Sequence, residues 1–472
     1  MRKLLLATVA GLGAWGAAAN DASAQTASPI YSNGSVTTYN GGTALPTVGA
    51  PTPGTVVVRL NGRIRFYGFA AWDRDANNPN SANATGNKVN TYGFAEYGRL
   101  YPGFDGIAAN GLKYGANLEI RQDAGGPAGG GTAGSISGEN NVRSKLYFRR
   151  VWGYLGTDAI GTVRMGAVDQ PTSLYLTGNY ENFNDGGWNG DAPGFITSNV
   201  APAWPFADVG SYYTTNKLVY LSPSLFGFDF GASYEPTTAN TSGSVNCAIP
   251  AAGCDALSST SINAETQRRR NTFDMLVRYR GSFGPVGVAA TAAYVTGSHI
   301  QDNSGLAFTN NPLVATGLRP NYDGLSVGDF GAAVTVAGFS VGGHYMTGRW
   351  NGYIGGLVPK GLPDGNAWIL GTSYTFGPAI VGAQYFVSET AGDLSNAYFG
   401  RMRREQGLAV GGTYSLAPGV SFYLSGLLGE RRQNGYNFLS GAGVTAASGP
   451  AGQAQSNKVT SSVVSLGTAF SW

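Results

Sequence analysis

The sequence predicts an all-β protein, a transmembrane antiparallel β-barrel of sixteen strands with short periplasmic turns and long extracellular loops. Of its 472 residues, 73 are glycine and only 12% are charged, about half the charged fraction of an ordinary soluble domain. After residue 19, no apolar run approaches the roughly 18 residues of a bilayer-spanning helix. Strand-like alternation recurs along the chain, and short and long connections follow each other in turn, which is typical of outer-membrane barrels.

The N-terminus predicts export. Two basic residues at positions 2 and 3 precede an apolar run, and a small-x-small pattern suited to signal peptidase ends at Ala24. Residues 1–24 are therefore expected to be a signal peptide. Residues 25–54 are a mixture rich in Thr, Gly, Pro and Ser with too little apolar surface to order itself, so they are expected to form a flexible leader. The barrel is expected to span residues 55–472.

The strands are predicted by alternation of apolar and polar residues. Between residues 56 and 72, one parity is apolar, aromatic or glycine, and the other carries polar residues: Arg59, Asn61, Arg63, Arg65 and Tyr67. The pattern returns at residues 112–121 and 273–280, so each strand has one face for lipid and one for water. Arg150 interrupts it, because strict alternation places this residue on the apolar side. A subunit contact or a break of register there would explain it.

The connections set the number of strands. Seven short turns, the first expected at residues 102–111, alternate with eight long loops rich in Asn, Gly, Asp and Ser. This order requires sixteen antiparallel strands with both chain ends on the short-turn side. The chain ends at Trp472 within a strand, and that strand must pair with the first one, because lipid cannot satisfy an open sheet edge.

Two segments and the terminal aromatic residue give the chain a family resemblance. Residues 146–169 (LYFRRVWGYLGTDAIGTVRMGAVD) are similar to a pair of strands around a Gly-bounded turn, and residues 216–231 (NKLVYLSPSLFGFDFG) are similar to a hairpin with the pattern KY-SP-x-GF. With these features, residues 55–472 resemble the general diffusion porins of Gram-negative outer membranes, most of all the trimeric sixteen-stranded porins of proteobacteria. Trp472 departs from the usual terminal Phe, and the leader is longer than usual.

The resemblance implies a location and partners. It places the chain in the outer membrane of a Gram-negative bacterium, in contact with lipid and lipopolysaccharide, as a homotrimer. It implies passive diffusion of small hydrophilic solutes and ions through a water-filled channel. It also makes Phe470 and Trp472 the expected C-terminal signal for the barrel-assembly machinery.

The resemblance further implies that the third long loop, at about residues 169–215, folds into the lumen as a constriction. Residues 165–216 contain five acidic residues and no Lys or Arg. The expected acidic side of the constriction is Glu181, Asp185, Asp191 and Asp208. The expected basic side on the strands is Arg59, Arg63, Arg65, Lys113, Arg121, Arg149 and Arg164. Opposed rows of unlike charge would produce a transverse field that orients solutes and filters ions. The alternative is an ordinary solvated loop with solvated arginines.

The remaining motifs argue against other classes of function. Cys247 and Cys254 lie in the fourth long loop of an exported chain and are expected to form a disulfide. Two Cys and two His far apart predict no metal site and no cofactor. Two Gly-x-Ser-x-Gly matches at residues 324–328 and 338–342 fall in alternating strands, so no hydrolase or other enzyme is expected. The near balance of 30 basic and 27 acidic residues predicts no nucleic-acid partner.

These observations favour a porin. A closed or substrate-selective outer-membrane barrel with mainly a binding or structural role is the alternative, and conductance distinguishes the two. Charges of both signs are expected in the lumen, so the sequence leaves the preference between anions and cations open.

Overall fold

The computed structural model describes residues 51–73, 91–122, 146–196, 200–206, 215–237, 270–298, 300–301, 321–351, 357–359, 361–392, 402–434, 436–438, 442–443 and 457–472. The predicted signal peptide, most of the predicted leader, Asp208, and the predicted disulfide between Cys247 and Cys254 lie outside these residues. No helix in the described part of the chain is long and apolar enough to cross a membrane.

Sixteen antiparallel strands form one closed barrel, as the sequence predicts. In chain order they are β1 (Thr55–Asp73), β2 (Tyr92–Ile107), β3 (Lys113–Gln122), β4 (Leu146–Thr157), β5 (Gly161–Ala167), β6 (Asn216–Leu221), β7 (Phe228–Thr237), β8 (Arg270–Phe283), β9 (Val286–Thr296), β10 (Ser326–Val336), β11 (Phe339–Arg349), β12 (Gly365–Phe376), β13 (Ala379–Thr390), β14 (Arg403–Ala417), β15 (Val420–Arg432) and β16 (Lys458–Ser471). Each strand pairs with its sequence neighbours, and β16 closes the sheet onto β1.

The barrel wall has its apolar side outside and its polar side inside. On β1, Val58 is 79% exposed and Phe66 is 54% exposed, whereas Arg65 is 1% exposed. Because successive side chains of a strand point to opposite faces, the alternation of residues 56–72 becomes this separation directly. An outer surface of exposed apolar side chains is stable against lipid and unstable against water.

Short turns lie at one end of the barrel. Four of them contain only two residues, at positions 284–285, 337–338, 377–378 and 418–419. At the second of these, Ala337 and Gly338 both have positive φ, 49° and 85°. Such a pair forms the turn whose twist matches the twist of the two strands that it joins. Glycine there removes the steric cost of the left-handed conformation at one of the two positions.

The first turn lies later than the sequence predicts. Strand β2 continues to Ile107, so the expected start of the turn at Pro102 is wrong. Pro102 has no N–H, and the β2–β3 ladder skips from Leu100 to Gly103, while the ladder with β1 runs through Pro102 without a gap. A proline can stay in this strand because its missing donor falls on only one of the two ladders.

A register shift explains Arg150. The ladder between β3 and β4 pairs Glu119 with Arg150 and then Ile120 with Phe148, so Arg149 is an extra residue in β4. This β-bulge turns Arg149 and Arg150 to the same side. Both are buried, whereas Phe148 is exposed on the outer face. The register break that the sequence left open is therefore present.

The connection between β5 and β6 enters the barrel. Loop L3 is defined here as residues 168–215, of which 197–199 and 207–214 lie outside the described part. It contains helix α1 (Pro171–Leu174) and two 3₁₀ turns, Gly187–Asn189 and Ala192–Phe195. Two small sheets lie in the other long connections, one formed by Ile300–Gln301, Asn321–Asp323 and Val358–Pro359, and one by Tyr436–Asn437 and Ala442–Gly443.

Loop L3 builds an apolar core inside one half of the barrel. Phe183, Trp188 and Phe206 of the loop are buried in one cluster with inward side chains of β9 to β16, among them Met346 and Phe386. The ring of Trp188 lies 6.3 Å from that of Phe386, edge to face. Because this half is packed with side chains, L3 is held against the wall of β9 to β16.

The junction of β16 with β1 depends on Gly62. Gly62 and Trp472 exchange two backbone hydrogen bonds of 3.1 Å, and the indole of Trp472 covers the position that a Cβ at residue 62 would occupy. Gly68, on the same strand and face, has ordinary space for a Cβ, 3.5 Å from the nearest atom.

Gly62→Val is expected to lower the free energy of unfolding by about 1–3 kcal/mol, because the new side chain collides with Trp472. Urea unfolding in lipid vesicles measures this. Gly68→Val is the matched control and should cost less. Adding Trp472→Ala to Gly62→Val should remove most of the difference between the two valine variants; an unchanged cost in that double variant contradicts the proposed packing.

Candidate functional site

Three inward arginines form a row across neighbouring strands. The register places Arg63 of β1 opposite Arg99 of β2, and Arg99 opposite Arg121 of β3. Arg63 and Arg99 are buried, and Arg121 is 17% exposed at its side chain. Like charges directly opposite each other in a sheet repel. The row therefore needs anionic groups nearby.

Glu119 of β3 is the first of these anionic groups. Its carboxylate is 2.6 Å from Arg121 Nε, 3.1 Å from Arg149 Nη1 and 3.8 Å from Arg99 Nη1, and it also contacts Arg150. The bulge in β4 is what allows two consecutive arginines to reach this one acid. Four guanidinium groups thus share one buried carboxylate, and positive charge remains in excess around it.

Asp191 of loop L3 is the second anionic group. Arg65 Nη1 lies 2.7 Å from Asp191 Oδ2, Tyr67 donates its hydroxyl to the same oxygen at 2.9 Å, and Arg99 Nη2 lies 3.4 Å from Oδ1. Burial alone would raise the pKa of Asp191, but the guanidinium groups of Arg65 and Arg99 hold it below its usual value. Asp191 is therefore ionised and ties the loop to the wall of β1 and β2.

Asp185 stabilises the conformation of loop L3 through hydrogen bonds. Its carboxylate accepts hydrogen bonds from the backbone N–H groups of Asp191 and Ala192, both at 3.2 Å, and from Ser425 Oγ of β15 at 3.0 Å. Burial raises the pKa of this carboxyl group, and Arg65 opposes that shift. Fully buried and surrounded by donors, Asp185 holds the turn that presents Asp191.

The other predicted acidic residue in the described part also bonds within the loop. Glu181 accepts hydrogen bonds from the side-chain amides of Asn179 at 2.7 Å and Asn189 at 3.1 Å. Asp169, at the start of L3, pairs with Arg150 at 2.8 Å. The four described acids of L3 are thus engaged by partners and do not form an open row.

The remaining predicted basic residues lie at other levels of the wall. Arg59 pairs with Asp105 at 2.5 Å. Lys113 pairs with Asp158 at 2.5 Å, beside the turn between β4 and β5. The guanidinium carbon of Arg164 lies 4.7 Å from the ring centre of Trp152, a cation–π contact.

Arg63 differs from its neighbours. It makes no hydrogen bond and no ion pair with the described part of the chain, although it is buried. Around it, six arginines at positions 63, 65, 99, 121, 149 and 150 face four carboxylates at positions 119, 169, 185 and 191, which leaves two formal positive charges in excess. This side of the lumen is electropositive.

Loop L3 is anchored to the wall along its length. Thr172 Oγ1 donates to Asp274 at 2.6 Å, and Trp188 Nε1 donates to the carbonyl of Leu408 at 3.1 Å. His344 lies between two acceptors: Nε2 is 2.6 Å from Asp329, and Nδ1 is 2.9 Å from the carbonyl of Thr177. These anchors reach from β8 to β14 and keep the acidic edge of the loop opposite β1 and β2.

The sequence did not single out several residues that the structure brings into the site. Arg99 lies in β2, outside the segments whose alternation predicted the strands, and Glu119 and Tyr67 were assigned only to a polar strand face. The sequence marked Arg150 as an irregularity in the alternation but did not indicate which residues it would bind. Alternation gives the face of each residue, whereas the pairing of Asp191 with Arg65 joins positions 126 apart in sequence and has no local signal.

Comparison with known proteins points to one family. The model of the Gram-negative porin family matches residues 7–434. No curated protein sequence matches the chain. Among solved structures, the anion-selective porin of Comamonas acidovorans is 16% identical, with a TM-score of 0.50, over 89% of this chain and 100% of that chain.

Two further structures are similar over much the same range. OmpT of Vibrio cholerae, in its trimer form, is 13% identical, with a TM-score of 0.46, over 88% of this chain and 99% of that chain. A triple mutant of the Rhodopseudomonas blastica porin is 15% identical, with a TM-score of 0.44, over 88% of this chain and 100% of that chain. At such low identity, the first similarity supports the barrel fold alone.

The two neighbouring aspartates are expected to respond differently to removal of charge. Asp191→Asn should destabilise the loop at pH 7, because it breaks the ion pair with Arg65. Asp185→Asn should also destabilise it, because its amide NH2 group faces the donors that surround residue 185, and the two variants should differ in their pH dependence. A raised native pKa also means that the native state takes up a proton before the unfolded state does. Wild type should therefore gain stability relative to Asp185→Asn as pH falls from 7 toward about 4.

Thermal unfolding in detergent, followed by circular dichroism at several pH values, measures both effects. A wild type that loses stability relative to Asp185→Asn over this pH range would contradict the assignment.

Proposed function

The chain belongs to the Gram-negative porin family and is an outer-membrane porin, and we propose that small hydrophilic solutes and ions diffuse passively through its water-filled lumen without a chemical step. The polar inner face of the closed barrel supports this, because it offers a path from which lipid is excluded. The passage is proposed to follow the wall of β1 to β5. Loop L3 packs its apolar side chains against the opposite wall and leaves its acidic edge facing the arginines.

The electropositive wall carries the proposal that anions are favoured. Each described acid of loop L3 is already held by donors or arginines, so the loop adds little free negative charge to the passage. Arg63 has a charge that no described group pairs, and Arg121 is partly accessible. In a narrow lumen with walls of low dielectric, such an excess raises the local concentration of the opposite ion. The constriction thus selects by charge as well as by size.

A homotrimer is proposed for the assembly. Glu96 of β2 lies exposed on the outer face, between the apolar positions Phe94 and Leu100. It makes no hydrogen bond or ion pair with the described part of the chain. A carboxylate on the lipid-facing side of a barrel is unfavourable. Cover from a neighbouring copy of the chain would remove that cost, so the outer face of β1 and β2 is the proposed contact.

The other partners are proposed from the outer surface and the C-terminal strand. The exposed apolar band outside the barrel suits membrane lipid and lipopolysaccharide. Phe470 and Trp472 both lie exposed on that outer face, where the barrel-assembly machinery could bind them before β16 joins β1. The predicted disulfide between Cys247 and Cys254 stays a prediction.

Purified protein in a planar bilayer should conduct current. Under a salt gradient, the sign of the reversal potential should show that anions permeate more readily than cations. Arg63→Gln should lower the anion-to-cation permeability ratio by about tenfold, because one unit charge acting across roughly 6 Å of water changes the local concentration of each ion by about threefold, in opposite directions for anions and cations. Lys458→Gln is the matched control, because its ion pair with Glu430 lies on the exposed outer rim, so removal of its charge should change the ratio little. An unchanged ratio in Arg63→Gln contradicts the charge filter, and absence of conductance contradicts the channel.

The proposed subunit contact can be tested by cross-linking. Glu96→Cys protein in vesicles, treated with a bismaleimide of short span, should yield a covalent dimer, because each copy has one new thiol and each cross-link uses two. Leu370→Cys places the thiol on the exposed outer face of β12, away from the proposed contact, and is the matched control. Equal cross-linking of the two variants, or none at Glu96→Cys in protein that conducts, would overturn the contact.

A further inference from the structure

Three aromatic rings line the lumen directly beside the guanidinium row. Phe195 of loop L3 stacks on Phe69 of β1, with ring centres 4.2 Å apart and planes 8° apart. The ring of Tyr97 of β2 lies 6.4 Å from that of Phe195. The ring centre of Tyr67 of β1 lies 5.2 Å from that of Phe195 and 5.6 Å from that of Tyr97. Loop and wall therefore meet in an aromatic cluster.

Three of these four rings keep part of their surface exposed. Tyr67 is 1% exposed, whereas Phe69, Tyr97 and Phe195 are only partly buried. Stacking against Phe69 explains how Phe195 helps to hold the loop, but it leaves aromatic surface facing the lumen. Aromatic faces bind other rings in stacked or edge-to-face arrangements.

The charged and aromatic surfaces are spaced for one small molecule. Tyr97 and Arg99 lie on the same strand and the same face, two residues apart, which is about 7 Å along a strand. Arg63 and Arg121 flank Arg99 at the same level. A solute with a ring and a carboxylate separated by one bond has the size to touch both surfaces at once.

From this juxtaposition we infer that the constriction contains a subsite for small aromatic carboxylates, of which benzoate is the simplest. Its ring lies against Phe195 and Tyr97, and its carboxylate lies toward Arg99 and Arg63. Asp191 does not exclude such a ligand, because Arg65, Arg99 and Tyr67 already surround its carboxylate. The inference rests on the proposed function and extends it from anions in general to one class of organic anion.

The subsite should distinguish solutes by two independent features. Acetate has the carboxylate without the ring, and benzyl alcohol has the ring without the charge. Cyclohexanecarboxylate has both the charge and the size, but its saturated ring has no π face. A site that recognises charge alone treats benzoate and cyclohexanecarboxylate alike, whereas the cluster of Phe69, Tyr97 and Phe195 favours benzoate.

The experiment compares sodium salts across a planar bilayer that contains the wild-type porin. Reversal potentials against chloride give the permeability of benzoate, cyclohexanecarboxylate and acetate. In water, the larger anions diffuse more slowly than acetate, so a purely sieving pore ranks acetate first. The inference expects benzoate to exceed cyclohexanecarboxylate by about threefold, the value of one weak aromatic contact, and to exceed acetate.

Two variants separate the ring from the charge. Phe195→Leu keeps an apolar side chain against Phe69 and should bring benzoate down to the level of cyclohexanecarboxylate while leaving acetate unchanged. Arg63→Gln should lower the permeability of the three carboxylates and of chloride relative to sodium, and it should leave the ratio of benzoate to cyclohexanecarboxylate unchanged. Phe330→Leu is the matched control, because Phe330 is exposed on the outer face of β10, and it should change none of the ratios.

The outcomes distinguish this inference from the proposed function. A wild-type pore that conducts chloride but ranks the three carboxylates by size alone overturns the subsite and leaves the porin intact. Equal permeability of benzoate and cyclohexanecarboxylate does the same. Absence of conductance in any salt overturns the proposed channel itself. If Phe195→Leu fails to fold, Tyr97→Leu, which leaves the stacked pair in place, provides the same comparison.

Discussion

The whole structure depends on the need to satisfy every backbone hydrogen bond without help from lipid. A sheet meets that need only when it closes, and here β16 pairs with β1 over the register from Arg63 with Ser471 to Asp73 with Ser461. Closure then fixes which residues face inward. Because each strand exposes one parity to lipid, all charged residues of the other parity are collected in a single enclosed space. The electrostatics of the lumen is a direct consequence of closing the sheet.

Alternation made most of the fold predictable, and its failures have local causes. Residues 58–67 keep strict period two, and their faces follow from it without tertiary information. Pro102 was misleading because proline usually marks a turn, yet one missing donor is tolerated in a strand that keeps its other ladder. Arg150 broke the pattern because β4 contains a bulge, and a bulge shifts parity by one residue. In both cases, backbone pairing with a neighbouring strand decided the outcome.

The site was less predictable than the wall, because its chemistry joins residues far apart in sequence. The sequence placed acids on L3 and arginines on the strands, and the pairing of Asp191 with Arg65 agrees with that placement. The sequence did not show that Asp185 would form hydrogen bonds within the loop. It also did not show that the carboxylate of Glu119 would contact four arginines. Among the described residues, the acids of L3 and the arginines of the strands therefore do not form two opposed rows of free charge. The wall of β1 to β4 is basic, its described acids are engaged by partners, and Arg63 makes no hydrogen bond or ion pair with the described part of the chain.

This arrangement couples the stability of the lumen to what passes through it. A buried cation without a bonded partner is unfavourable, and a pore can offset that cost with water or with an anion in transit. An anion that stays too long would block the passage, so the compensation must be weak and shared among several groups. The row of Arg63, Arg99 and Arg121 meets this condition, because neighbouring guanidinium groups offer alternative contacts at one level. Loop L3 contributes by holding Asp191 on Arg65 and Arg99, which moderates the positive charge without cancelling it.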